Sequence, residues 1–125
     1  MKEFDLNFYA GKRVFVTGHT GFKGSWLCKL LRRAGAEVTG YSLNPPTEPS
    51  LFALAGIEGE ITSVIGDIRD FSALKAAFDA CDPDVVFHLA AQKARYGLHQ
   101  FLLRFRQGLI VFLQQQHYTA HEVSF

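Results

Sequence analysis

The residues best suited to chemistry come early, in the stretch TGHTGFKG at residues 17–24. Gly18, Gly21 and Gly24 leave three positions of one short loop without a side chain. Such a loop turns sharply and lets phosphate oxygens reach the backbone, where the N–H groups of a helix start face the negative charge. The chemistry on offer is pyrophosphate binding. Spaced glycines carry that meaning only where a strand enters the loop and a helix leaves it; elsewhere they make a tight turn with no ligand. No Gly-Lys-Ser/Thr follows, which excludes a Walker-type phosphate loop. His19, inside the loop, is placed to help position the phosphates. Lys23 either adds positive charge there or is a solvated lysine at a helix start. Gly24 also allows close packing of the helix.

Other candidates are weaker. Asp67, in IGDIRD, follows a strand and is placed to accept from an adenine amino group, or else serves as a loop or capping aspartate. LAAQ at residues 89–92 ends an apolar strand in small residues, suited to a cofactor lying along the backbone or to a helix packed on Ala90 and Ala91. His88, inside that strand, reads as a hydrogen-bonded core histidine. His99, His117 and His121 have no ligand spacing with Cys28 or Cys81, so no metal is assigned. The two cysteines read as buried thiols in a reducing compartment.

The loop needs a strand before it and a helix after it, and the sequence supplies both. KRVFVT at residues 12–17 is β-branched and aromatic and ends at the glycines. GSWLCKLLRRAG reads as a helix whose apolar face is Trp26, Leu27, Leu30, Leu31 and Ala34. Arg32 and Arg33 suit its last turn, and Gly35 suits the position just past its end. AEVTGYSL and ITSVIGD read as further strands, separated by NPPTEPS, whose prolines exclude regular structure. Asp70 or Ser72 caps a second helix with Phe71, Leu74, Ala77 and Phe78 on its apolar face. VVFHLAA lacks polar alternation, as a parallel strand covered on both faces does. Strands centred on 13–17, 37–41, 61–65 and 85–90 with helices between them predict an α/β, doubly wound, Rossmann-like parallel sheet, present as an incomplete N-terminal half. After residue 92 the pattern loses its clean caps; Phe101, Leu102, Phe105 and Leu109 fit one helical face.

The chain has 125 residues and a formal net charge of +1. That is one modest domain, without the basic excess of a general nucleic-acid binder. No apolar leader opens it and no run approaches the ~20 apolar residues of a membrane span. A cytoplasmic location with no membrane partner is expected. The second strand ends in Tyr41, Ser42 and Leu43, with neither an acid for a ribose nor an arginine for a 2′-phosphate, so spacing leaves NAD and NADP both open.

The T-G-x-x-G-x-x-G loop, the Asp-Ile after the third strand and the H-x-A-A after the fourth resemble the extended short-chain dehydrogenase/reductases. The strings GKRVFVTGHTGFKGSWL, GYSL, PPTEPSLF, GDIRDF and VVFHLAAQ are similar to the nucleotide-sugar 4,6-dehydratases among them, in particular those acting on CDP-glucose. The resemblance covers roughly residues 8–92. It implies a lyase that uses NAD as an internal oxidant. The sugar is oxidised at C4, water leaves across C5 and C6, and the hydride returns to C6. The CDP-4-keto-6-deoxy product serves lipopolysaccharide or deoxysugar synthesis. It implies that Gly18, Thr20, Gly21, Phe22, Lys23 and Gly24 line the pyrophosphate, that Asp67 and Ile68 meet the adenine, and that Leu89, Ala90 and Ala91 lie along the cofactor.

The chain also departs from that family. Its enzymes carry a Tyr-x-x-x-Lys pair in which the lysine lowers the pKa of an acid/base tyrosine. Here the residues four beyond Tyr9, Tyr41, Tyr96 and Tyr118 are Arg13, Pro45, Gln100 and Glu122. No catalytic residue is therefore assigned. The change of character near residue 93, with only RYG as an echo, reads as a shifted frame or a truncated gene product. Residues 1–92 are expected to form the dinucleotide-binding portion and 93–125 a divergent tail. A non-catalytic dinucleotide-binding or interaction module, a subunit completed by another chain, and a fragment of another epimerase/dehydratase remain alternatives.

Overall fold

A computed structural model describes residues 6–45, 48–89, 108–113 and 118–123, the last two stretches as backbone only. Strand β1 (Arg13–Thr17) leads into α1 (Phe22–Arg33) and β2 (Glu37–Ser42). A one-turn helix α2 (Leu51–Leu54) and a 3-10 turn (Ile57–Gly59) precede β3 (Thr62–Ile65). Helix α3 (Phe71–Cys81), β4 (Val85–His88), β5 (Gly108–Leu113) and β6 (Tyr118–Val123) follow.

The strands form one sheet in the order β3-β2-β1-β4-β5-β6. β1 pairs in parallel with β2 and β4, and β2 with β3, as the apolar character of these segments predicts. β4 pairs in parallel with β5, and β6 closes the edge antiparallel to β5. The helical placement of Leu109 is not borne out. Leu109 lies in β5, where the β-branched and aromatic residues Ile110, Val111 and Phe112 that follow it favour a strand. Phe101, Leu102 and Phe105 lie outside the described residues.

The connection through α1 moves the chain one way along the sheet, and that through α3 moves it back across β2 and β1. Right-handed crossovers then put the two helices on opposite faces. Two buried clusters follow. Val14, Val16, Val38, Val85 and Phe87 meet Cys28 and Leu31 of α1 and Phe52 of α2. Phe15, Tyr41 and Val86 meet Leu74 and Ala77 of α3. β1 thus buries alternate residues on opposite faces, each worth roughly 1.5–3 kcal/mol for a full-sized apolar side chain.

Helix α1 buries Leu31 and packs Leu27 and Ala34 on the core, as its pattern predicts, but is rotated so that Trp26 and Leu30 leave that face. Its buried positions are Gly24, Ser25, Cys28 and Leu31, while Trp26 is 58% exposed and Leu30 is 37% exposed. The cause is Gly24, which brings the helix against the preceding loop; residues two further on lie about 200° round the helix. At the other end Gly35 is left-handed (φ +88°). Its N–H donates to Arg32 O and that of Ala36 to Leu31 O, the paired bonds of a Schellman stop. Asp70 caps α3, accepting from the Ala73 amide. Phe78 packs edge-on to Phe15, and Phe71 stays largely exposed. Cys28 is buried, which pushes its thiol up to about 12, and Cys81 is half-buried.

Candidate dinucleotide site at the carboxyl edge of the sheet

Because β1, β3 and β4 are parallel, the segments after them emerge on one edge. This gathers the loop at 18–24, Asp67 with Ile68, and Leu89, from sequence positions up to 71 residues apart. The neighbours β1 and β4 flank the point where strand order reverses, the usual place for a ligand in an open α/β sheet. Ala90 and Ala91 lie outside the described residues.

The loop's glycines differ in what the fold asks of them. Gly18 is left-handed (φ +80°), and its N–H donates to the Tyr41 carbonyl at 3.0 Å. A Cβ on Gly24 would run into the Gly18 carbonyl and lie 2.7 Å from the Cα of His19. Gly21, the N-cap of α1, has extended backbone (φ −76°, ψ 171°), and a Cβ there would meet nothing nearer than Gly18 O at 3.6 Å. No side chain caps α1. The first amides of a helix lack carbonyl partners within it, so this end faces the loop with donors and the positive end of the macrodipole.

The side chains around the loop hold it to the sheet. The Thr20 hydroxyl donates to Leu43 O at 2.7 Å and lies 3.0 Å from Ser42 Oγ, tying the loop to the end of β2. Ser25 Oγ donates to the His19 carbonyl at 2.9 Å. Phe22 and Lys23 are exposed at the start of α1.

His19 does not face the phosphate position. It is fully buried, with Nε2 2.8 Å from Ser63 Oγ on β3 and its ring edge-on to Phe52. The ring fills the space that a side chain on Gly40 would need. Burial pushes the imidazole down to about 4, against a smaller upward pull from the Tyr41 backbone; Nδ1 makes no hydrogen bond of good geometry. His88 is a hydrogen-bonded core histidine, as its strand context suggests. Its Nδ1 lies 2.7 Å from Thr17 Oγ1, and burial pushes it down to about 4. The Leu89 amide donates to both Thr17 O and Thr17 Oγ1, clamping the end of β4 to the end of β1.

Asp67 stands on the predicted edge, but its carboxylate is engaged by Arg69, whose Nε lies 3.0 Å from both oxygens. Ile68 turns inward and joins the α3-side cluster. The Tyr41 hydroxyl donates to Asp67 O at 2.8 Å and fixes this turn; a Cβ on Gly66 would collide with that ring. Arg69 and Tyr41 hold this turn and are not singled out for it by the sequence, though Gly66 beside Asp67 is a signal of the close approach.

The model of the NAD dependent epimerase/dehydratase family matches residues 14–99, which include the glycine loop, Asp67 and the LAAQ segment. The chain belongs to that family. CDP-glucose 4,6-dehydratase of Salmonella typhimurium is 56% identical over 88 residues, 70% of this chain and 24% of the relative. Cinnamoyl-CoA reductase 1 of Arabidopsis thaliana is 42% identical over 89 residues, 70% of this chain and 25% of the relative. Among solved structures, UDP-glucose-4-epimerase of Stenotrophomonas maltophila, with bound NAD and formylated UDP-arabinopyranose, aligns with TM-score 0.55 at 30% identity. That alignment covers 74% of this chain and 28% of the other. The chain thus spans about a quarter of the length of the curated relatives it matches.

Proposed function

We propose that this chain is the NAD-binding N-terminal part of a CDP-glucose 4,6-dehydratase, with the loop at 18–24 holding the pyrophosphate. Gly21 carries the reading. Gly18 and Gly24 are glycines because the fold requires them, whereas Gly21 has ordinary backbone angles and room for a Cβ. What its missing side chain leaves open is the approach of a ligand to the start of α1. A dinucleotide pyrophosphate fits that chemistry: two negative charges against the first amides and the positive end of a twelve-residue helix.

In this reading the Gly21 backbone admits the pyrophosphate and Thr20 holds the loop in register with β2. Leu89 and the small residues Ala90 and Ala91 line the cofactor's path. The Asp67 carboxylate meets the adenine amino group, with Arg69 orienting it. NAD, when bound, supplies the hydride acceptor for oxidation of the sugar at C4. The 56% identity to a CDP-glucose 4,6-dehydratase supports that substrate over the other nucleotide sugars of the family. A place in deoxysugar supply for lipopolysaccharide, and a cytoplasmic location, belong to the same reading.

The test is calorimetric titration of the parent chain and of Gly21→Val with NAD. A fall in affinity of at least about tenfold with an unchanged circular dichroism spectrum is expected, since a side chain would then occupy the pyrophosphate's approach. Equal affinity in both would make the loop a turn and nothing more.

A further inference from the structure

Helix α1 carries an outward apolar stripe that the fold does not use. Phe22, Trp26 and Leu30 recur every fourth residue and are 69%, 58% and 37% exposed. Trp26 and Leu30 form one wall of a groove of about 310 Å³, and Leu51 and Ala55 at α2 form the other. Leu54, 74% exposed, extends the apolar surface on α2. Taking about 200 Å² for a whole aromatic side chain, Phe22 and Trp26 alone leave on the order of 250 Å² open. With the two leucines the patch approaches the roughly 300–600 Å² of the largest patch on an ordinary monomer, a size that is often functional.

Charge narrows the occupant. The sequence of α1, FKGSWLCKLLRR, contains four cations and no acid. Lys29 and Arg33 stand on the groove itself. Glu60 answers Lys29 at 2.8 Å, and the pair is half-exposed. A second copy packed stripe to stripe would bring the Arg33 side chains together with no acid on α1 to answer them. A flat anionic lipid surface would meet the cations but leave the groove between the two helices unfilled. A helix with apolar residues at i, i+3 or i+4, and i+7, flanked by glutamates, fills the groove and answers the charge.

We propose that the groove between α1 and α2 docks an acidic amphipathic helical segment of a partner protein. Apolar side chains of that segment enter between Trp26 and Leu51, and its carboxylate meets Arg33, Lys29 being already paired with Glu60. The groove itself contains none of the loop residues 18–24, although Phe22 at the end of the stripe is one of them, and the proposal stands whether or not the chain binds NAD.

Trp26 is the only tryptophan in the chain, so its emission reports the groove directly. The probe is a synthetic helical peptide with leucines at heptad spacing and flanking glutamates, titrated into the full chain. A saturable shift of the emission to shorter wavelength is expected, weakened by salt because the cations are exposed. The same peptide with lysines for glutamates should leave the emission unchanged. Leu30→Ser and Arg33→Glu, both at exposed positions, should each weaken binding about tenfold or more while the circular dichroism spectrum stays that of the parent. No shift, or an equal shift with the lysine peptide, would overturn the proposal. So would a shift that grows with chain concentration alone, which marks self-association. A larger shift with vesicles of mixed phosphatidylglycerol and phosphatidylcholine than with the acidic peptide would overturn it in favour of a membrane surface.

Discussion

The carbonyl oxygen of Gly18 occupies the space that a side chain on Gly24 would need, so the first turn of α1 rests on the bend of its own loop. Gly24→Ala therefore forces the helix off the loop. Overpacking of this kind costs about 1–3 kcal/mol or more, since both contacts are backbone and cannot swing away. Gly21→Ala, with a nearest contact of 3.6 Å, should leave stability near the parent's. Urea denaturation of the two variants checks this. A Gly24→Ala chain as stable as Gly21→Ala would mean that α1 does not lie against Gly18.

The same glycine explains why part of the fold could be read from the sequence and part could not. Strands β1 to β4 announce themselves by apolar, β-branched runs, and their parallel order follows from the helices between them. The rotation of α1 does not follow from its apolar pattern. Two stripes compete, Trp26 with Leu30 and Cys28 with Leu31, and the close approach at Gly24 decides for the second. The glycine loop was legible because strand, glycines and helix are consecutive. The inward turn of His19 was not, because it depends on Gly40 and Ser63, which come beside it only when β1, β2 and β3 are paired. Likewise the Asp67–Arg69 contact is local in sequence, but Tyr41 reaches that turn only across the sheet.

His19 and Gly40 form a size-matched pair, because the imidazole fills the volume beside the glycine. Gly40→Ala alone should destabilise by about 1–3 kcal/mol, as a methyl group meets a ring held between Phe52 and Ser63. In a His19→Ser background the same change should cost markedly less. A double-mutant cycle measured by denaturant unfolding would show a coupling of about 0.5–3 kcal/mol, as contacting residues do. Additive effects would mean that His19 does not occupy that space.

Both buried histidines should make the chain acid-sensitive. Their imidazoles are pushed from 6.5 down to about 4, chiefly by burial. Between those values the unfolded chain binds protons that the folded chain does not. The contribution is thus full above 6.5, falls as pH drops through the unfolded value, and levels off near 4. At mid-window two such groups give a slope of up to about 2.7 kcal/mol per pH unit. Urea midpoints at pH 7.5, 6 and 5 should fall in that order, and the ring protons of His19 and His88 should not titrate above about pH 5 in proton magnetic resonance. Titration of either ring near 6.5 in the folded chain would show it to be solvated.

Asp67 and Arg69 should separate binding from stability. The arginine side of their contact is half-exposed and screened by solvent, so Arg69→Ala should leave the urea midpoint nearly unchanged. Asp67→Ala removes the acceptor proposed for the adenine amino group and should weaken NAD binding several-fold while the fold persists. The midpoint is read by circular dichroism and the affinity by calorimetry. Unchanged affinity in Asp67→Ala would return this aspartate to an ordinary turn residue.

Finally, these 125 residues by themselves should not convert CDP-glucose to its 4-keto-6-deoxy product. Oxidation at C4 requires a base that takes the hydroxyl proton as the hydride leaves, and elimination requires proton traffic at C5 and C6. In the resembled family a tyrosine with a lysine four residues on does the first of these. Here Tyr9, Tyr41, Tyr96 and Tyr118 have Arg13, Pro45, Gln100 and Glu122 at that spacing. Tyr41 is further disqualified by its place in the fold. It is fully buried, its hydroxyl donates to Asp67 O, and burial together with Asp70 and Asp67 raises its pKa, the opposite of what a base needs. Loss of a positioned acid/base costs about 10²–10⁴ in rate. The assay is formation of the 4-keto product with NAD supplied, alongside the NAD titration so that binding and turnover are read on one preparation. Binding without turnover is the expected outcome. Turnover at an ordinary enzymatic rate would require an acid/base among residues assigned none, and the segment after Leu89 would be the first place to substitute.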